Sequence, residues 1–227
     1  MSDHFDLTLP GARVTFSTRR GGVSEGPFSS LNLGLWTEDE ADRVVENRRL
    51  LERHTNTAAT ALGGQMHGTE LQEWSAPPSG ADPPEVDGHL TRECGLGLLV
   101  LTADCLPVAL ASPDRVAMLH CGWRGLAGGI VGRALERFER APAAAIGPGI
   151  GPCCFEVGEE VAATFGRSGE THLDLRAIAR EQLQAEGVGQ ITEVDLCTSC
   201  HPELFFSHRR DRGVTGRQAG VVVRDGG

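Results

Sequence analysis

Between residues 96 and 122 the chain carries three apolar runs in close succession, LGLLVLTA, PVALAS and VAMLHCG. Each has strand length, and turn residues separate one from the next. A strand with one face in water alternates apolar and polar residues; these runs barely alternate, so they read as strands covered on both faces. Strands this close in sequence leave no room for a crossover helix between each pair, which disfavours an all-parallel sheet. The frame they impose is a mixed α/β fold. Two chemically active residues, Cys105 and His120, stand where these runs begin or end.

The remaining pattern fits that frame. Residues 12–18, ARVTFST, alternate as a strand, and RRGGVSEGPFSSLNLG is a long Gly- and Ser-rich loop of the kind that often serves a function. Residues 38–54 predict an amphipathic helix, with Thr37 as N-cap, acids in its first turn and Arg and His at its end. TALGGQMHGTELQEW suggests a strand pair around a glycine turn, and residues 75–88 form a Pro-rich surface excursion. Helices are expected at 126–140, 156–165 and 174–186, with strands in AAAIGPGIGPCCF, ITEVDLCT and QAGVVVR. Residues 1–227 are taken as a single domain, without internal repeats or a low-complexity tail.

A net charge of −10 argues against a general nucleic-acid binder, which needs clustered Lys and Arg. No run approaches the ~18 apolar residues that cross a bilayer, and MSDHFDLTLPGARVTF lacks the apolar stretch of a signal peptide. A cytoplasmic location is the default expectation. The seven cysteines are an odd number, so a complete disulfide framework is excluded, and in a reducing compartment most are expected as thiols.

Four groups of residues carry candidate chemistry. Cys105, His120 and His67, the last in GGQMHGTE, match a three-ligand set known for catalytic zinc with a fourth position open. The same residues also fit a Cys–His nucleophilic pair, or ordinary hydrogen-bonded histidines, and spacing does not choose among these. CTSCH at 197–201 has the form of a c-type haem attachment site or half of a zinc site, but no second C-x-x-C is present. Two glycine-rich turns, TRRGGVS and GWRGLAGG, offer Arg19 and Arg124 for an anion, and neither matches a P-loop or dinucleotide fingerprint. Finally, FFSHRRDRGVTGRQAG brings His208, Arg209, Arg210 and Arg217 close in sequence as candidates to line a polar pocket.

Taken together and in order, TRRGGVS, SLNLG, ENRRLL, GGQMHG, VDGHLT, TADCLPVAL, HCGWRGLAGGIV, GPGIGPCCFEVG, FFSHRRD and TGRQAG make the chain resemble the laccase-domain family, also called YfiH-like or multicopper polyphenol oxidase-like. The resemblance spans nearly the whole length. It implies a layered α/β/β/α sandwich with mixed sheets. It also implies a metal site, most often zinc with copper as the alternative, at His67, Cys105 and His120. The implied activities are phosphorolysis of purine nucleosides, methylthioadenosine included, and deamination of adenosine. Alternatives are amide hydrolysis of muramyl precursors in peptidoglycan editing and copper-dependent phenol oxidation. On this reading the partners are small molecules, purine nucleosides and phosphate, with no nucleic acid or membrane, and the protein is a monomer or small homo-oligomer. Asn32 and Gln65 join Arg19, Arg124, His208 and Arg217 as expected substrate contacts. Asp104 is expected to orient a ligand or the sugar beside the catalytic His67, Cys105 and His120. Two departures from the family pattern are Met66 beside a ligand and Cys121, an extra thiol next to His120 expected to alter metal preference.

Overall fold

The computed structural model describes residues 3–57, 59–78 and 83–226. Two sheets lie face to face. The first has the order β1 (His4–Leu9), β2 (Ala12–Ser17), β11 (Gln218–Arg224), β6 (Leu96–Thr102) and β3 (Ala59–Ala61). The second has the order β10 (Ile191–Glu193), β9 (Ala143–Ile146), β7 (Leu106–Ser112), β8 (Arg115–Cys121), β5 (Gly88–Thr91) and β4 (Leu71–Trp74). Both sheets are mixed: β3 runs parallel to β6, β4 to β5 and β10 to β9, while the central pairs are antiparallel.

The continuous apolar runs are explained by two cores on opposite faces of each strand. In β7, Val108 and Leu110 face one way, into a cluster with Leu126, Ile130, Leu175 and Ile178, while Ala109 and Ala111 face the other sheet. In β8, Ala117, Leu119 and Cys121 join the helix-covered core, and Val116 and Met118 the space between the sheets. In β6, Leu98 and Val100 point between the sheets, and Leu99 and Leu101 pack under Leu51. Leu51 lies on helix α1 (Ala41–Thr55), which covers the first sheet; α2 (Trp123–Ala127), α3 (Ile130–Leu135) and α5 (Leu175–Ala185) cover the second. The result is the expected α/β/β/α layering. Each fully buried leucine contributes about 2 kcal/mol relative to an exposed one.

Several local expectations are corrected. Helix α1 starts at Ala41 with Glu40 at its N-cap; Thr37 does not cap it, because its hydroxyl donates to the Gly34 carbonyl and accepts from Asn32 Nδ2. The proposed strand pair in TALGGQMHGTELQEW does not exist, since β3 and β4 belong to different sheets. The helix expected at 126–140 is two short helices broken at Gly128–Gly129, where Gly129 takes a φ of 83° that other residues resist. The segments at 156–165 and 174–186 form α4 (Glu159–Thr164) and α5, the latter capped by the Asp174 carboxylate accepting from the Arg176 and Ala177 amides. Strand β1 was not foreseen. The Pro-rich stretch, of which residues 79–82 lie outside the described residues, joins β4 and β5, parallel neighbours in one sheet.

Asn47 shows why ENRRLL reads as it does. Fully buried on α1, it donates to Ser24 Oγ, the Ser30 carbonyl and the Asn32 carbonyl, and accepts from the Val23 amide. One side chain thus pins the long 19–34 loop, whose last residue, Gly34, reaches the cavity. Among the described residues no helix is long and apolar enough to cross a membrane.

Candidate metal centre

The chain passes from the first sheet to the second at Ala103–Asp104–Cys105, between the end of β6 and the start of β7. Asp104 makes that corner with a φ of 95°. Cys105 therefore sits at the open rim between the sheets. His120 reaches the same rim from the end of β8, on the side of Val116 and Met118. His67 comes from the loop before β4, itself at a φ of 59°. The ligand atoms of His67, Cys105 and His120 all lie within 4.8 Å of one another, and the two imidazoles meet edge to face at 4.8 Å between centroids. Gly122 permits this closeness: a Cβ there would lie 3.0 Å from Cys105 Sγ and 3.2 Å from His67 Cδ2.

Asp87, at the foot of β5, organises the cluster. Its carboxylate accepts from the backbone amides of Met66, His67 and Gly68 and lies 2.7 Å from His120 Nδ1. Burial pushes Asp87 up, but the His120 and Gly68 hydrogen bonds outweigh it and hold the acid below the usual carboxylate range. An ionised carboxylate only accepts, so His120 Nδ1 carries a proton and Nε2 is the ring nitrogen that remains for a ligand. This is the carboxylate–histidine arrangement that orients metal ligands. The carboxylate that orients His120 is thus Asp87, a residue of VDGHLT with no local signal of that task, and Asp104 instead faces the cavity. Burial likewise pushes the Cys105 thiol up, and His120 and His67 pull it below its ordinary value. Burial lowers His120, but Cys105 and Asp87 outweigh it and raise it to about 9, so a metal ion at its ring nitrogen would displace a proton shared with Cys105. Cys105 is thereby held toward the thiolate, the form a metal ion requires. One sulfur and two nitrogens so arranged fit the N/S donor set of a zinc site with an open position.

A cavity of about 420 Å³ opens over these residues, within the ~300–1,000 Å³ usual for small-molecule sites. Gln65, Asp104, His208, Arg209 and Arg217 line it, together with Trp36 and Phe155. The polar residues differ in what they have left to offer. Gln65 spends both ends of its amide on the backbone of Leu101, and Asp104 accepts from Thr198 Oγ1 and the Arg209 amide. Arg217 is half-buried and remains cationic; burial lowers it from its ordinary value, and the charges of Cys105 and Asp104 pull it back up.

Three expected substrate contacts lie elsewhere. Arg19 donates to the carbonyls of Ser29, Pro202 and Pro27 and stacks over Phe206. Arg124 is exposed on α2 and stacks on Trp123. Neither lines the cavity. Asn32, fully buried, instead holds the cavity wall, accepting from the amides of Gly34 and Arg217. Arg210 is likewise structural, paired with Asp211 and bonded to the Thr198 and Phe205 carbonyls. Cys121 points away from the centre into the helix-covered core, where burial pushes its thiol up. The aromatic wall, Trp36 and Phe155, was missed; the only signal was their position directly after SLNLGL and GPCC.

The family model described as multi-copper polyphenol oxidoreductase laccase matches residues 13–225. The chain belongs to this laccase-domain, YfiH-like family. It is 38% identical over 248 residues to a protein of Geobacillus stearothermophilus named purine nucleoside phosphorylase YlmD, covering 94% of this chain and 90% of that one. It is 37% identical over 230 residues to purine nucleoside phosphorylase YfiH of Escherichia coli, covering 93% of each. The crystal structure of the Geobacillus YlmD superposes with a TM-score of 0.88 at 37% identity, over 95% of this chain and 93% of that chain.

Proposed function

We propose that this protein is a zinc-dependent purine nucleoside phosphorylase that also accepts methylthioadenosine and deaminates adenosine. The observation that carries the reading is the convergence of His67, Cys105 and Asp87-oriented His120 at the floor of a cavity walled by aromatic and cationic side chains. The names of the relatives add support. His67, Cys105 and His120 would hold the ion, which when bound supplies Lewis-acid polarisation at its open position.

In phosphorolysis a phosphate oxygen forms a bond to C1′ while the C1′–N9 bond breaks and its electron pair leaves with the purine, which takes up the proton that the phosphate gives up. Arg217 supplies the fixed positive charge for the phosphate, in a partly dry site where such charge is worth more than in water. Phe155 and Trp36 offer ring faces for the purine. Asp87 keeps the His120 proton on Nδ1, away from the ligand face.

The deciding experiment supplies adenosine with and without inorganic phosphate to the zinc-loaded protein and separates the products. Adenine and ribose 1-phosphate in equal amounts, dependent on phosphate, support the reading, and inosine alone assigns only the deaminase. Cleavage of a muramyl amino-acid amide with no nucleoside turnover overturns it in favour of a hydrolase.

A further inference from the structure

The C-x-x-C of CTSCH finds its missing half in space. Cys197 and Cys200 bracket a turn after β10; Cys153 and Cys154 lie in the turn after β9. The two segments are joined by a bridge between Gly149 and Cys197 and by the Thr198 amide donating to the Gly149 carbonyl at 3.0 Å. Cys200 Sγ lies 3.3 Å from Cys153 Sγ and 3.4 Å from Cys154 Sγ, and all four sulfurs lie within 4.8 Å of one another. Four thiolates at ~2.3 Å around a tetrahedral zinc are separated by about 3.8 Å, which falls inside this range. We propose that Cys153, Cys154, Cys197 and Cys200 form a second metal site, a closed tetrathiolate for a thiophilic divalent cation of the zinc class, that clips one wall of the substrate cavity.

Independent features prepare the site for negative charge. The Gly151 amide donates to Cys197 Sγ at 3.2 Å. A zinc ion with four thiolates carries a net charge of two minus. Arg209, donating to the carbonyls of Cys154 and Glu156, supplies a cation beside the Cys153–Cys154 turn, and Arg210, paired with Asp211, ties down the other turn through the carbonyls of Thr198 and Ser199. Binding exchanges thiol protons for the metal, with no oxidant or reductant involved. Four protein ligands leave no open position, so the role is structural. What it fixes is plain from the neighbours. Phe155 follows Cys154 and lines the cavity, and Thr198, between the other two ligands, donates to Asp104 Oδ1.

The test uses the full chain, prepared with reductant, loaded with Zn²⁺ or Co²⁺ and desalted. Wild-type protein should retain two equivalents of zinc per chain, and the Cys105→Ala/His120→Ala and Cys197→Ser/Cys200→Ser variants one each. The Cys105→Ala/His120→Ala protein, with the four cysteines intact, should show the strong thiolate-to-cobalt charge transfer and visible bands of tetrahedral Co²⁺, and its Tm should rise on adding zinc. Because that variant leaves the four-cysteine site untouched, misfolding of the serine variant does not obscure the result. The proposal is overturned if the Cys105→Ala/His120→Ala protein binds no cobalt with this signature, or if Cys153 and Cys200 are found joined as a disulfide in the reductant-prepared protein. Neither outcome bears on whether the protein phosphorolyses nucleosides.

Discussion

Asp87 Oδ1 and His120 Nδ1 lie 2.7 Å apart, both almost wholly shielded from water. That contact ties the loop carrying His67 to the strand carrying His120, because the same carboxylate accepts from the amides of residues 66 to 68. Asp87→Asn keeps the volume but removes the charge that fixes the His120 tautomer. Zinc affinity at this centre, measured by competition with a chelator in the Cys197→Ser/Cys200→Ser background, should fall about 10- to 100-fold, with nucleoside turnover falling alongside it. Unchanged affinity would mean that Asp87 only supports the fold.

The two arginines raised by sequence as anion contacts separate from the one in the cavity. Arg217→Ala should raise the KM for phosphate about 10- to 100-fold, the scale of one charge-assisted hydrogen bond, with a smaller change in kcat. Arg124→Ala, which removes a guanidinium stacked on Trp123 outside the cavity, should leave both within about twofold. Steady-state kinetics with varied phosphate decide this, and the reverse ranking would return the anion site to the GWRG turn.

Much of this is legible in the sequence. The doubled apolar runs required cores on both faces of each strand, and α1, α5, β2 and β11 follow local periodicity. His67, Cys105 and His120 were legible as candidate chemistry because each stands at a strand end or a glycine turn, but only the family resemblance, and not their spacing, pointed to a shared metal ion rather than a Cys–His pair. What failed depended on long-range pairing. Nothing local tells β3 and β4 that they belong to different sheets. Asp87 reads as a loop acid until three amides and an imidazole converge on it. Cys153 and Cys154 carry no C-x-x-C signature, and the sheet register alone sets them beside Cys197 and Cys200.

Acid should destabilise the fold through His89, which is fully buried on β5. Its Nδ1 accepts from the Trp74 indole at 3.1 Å, so the neutral ring carries its proton on Nε2. Burial lowers this histidine from 6.5 to about 4, with Asp87 pulling it back up and His120 opposing. Below about pH 6.5 the unfolded chain binds a proton that the folded ring refuses, so stability is fully present above that value and declines as pH falls toward 4. At about 1.4 kcal/mol per pH unit the loss is roughly 3 kcal/mol. Denaturant titrations at about pH 7 and about pH 5 should show a steeper decline for wild-type protein than for His89→Gln, which keeps an acceptor for Trp74. Equal declines would contradict the assignment.

The central claim is that one sulfur and two imidazoles hold a zinc ion that nucleoside chemistry requires. The most direct measurement follows adenine release from adenosine and phosphate for zinc-loaded wild-type, Cys105→Ala, His120→Ala and Cys94→Ala proteins, each repeated after exhaustive chelation. Phosphate-dependent adenine is expected from wild type and Cys94→Ala, with a loss of at least about a hundredfold in the two ligand variants and after chelation. Full turnover in Cys105→Ala and His120→Ala, or in chelated wild-type protein, would contradict it.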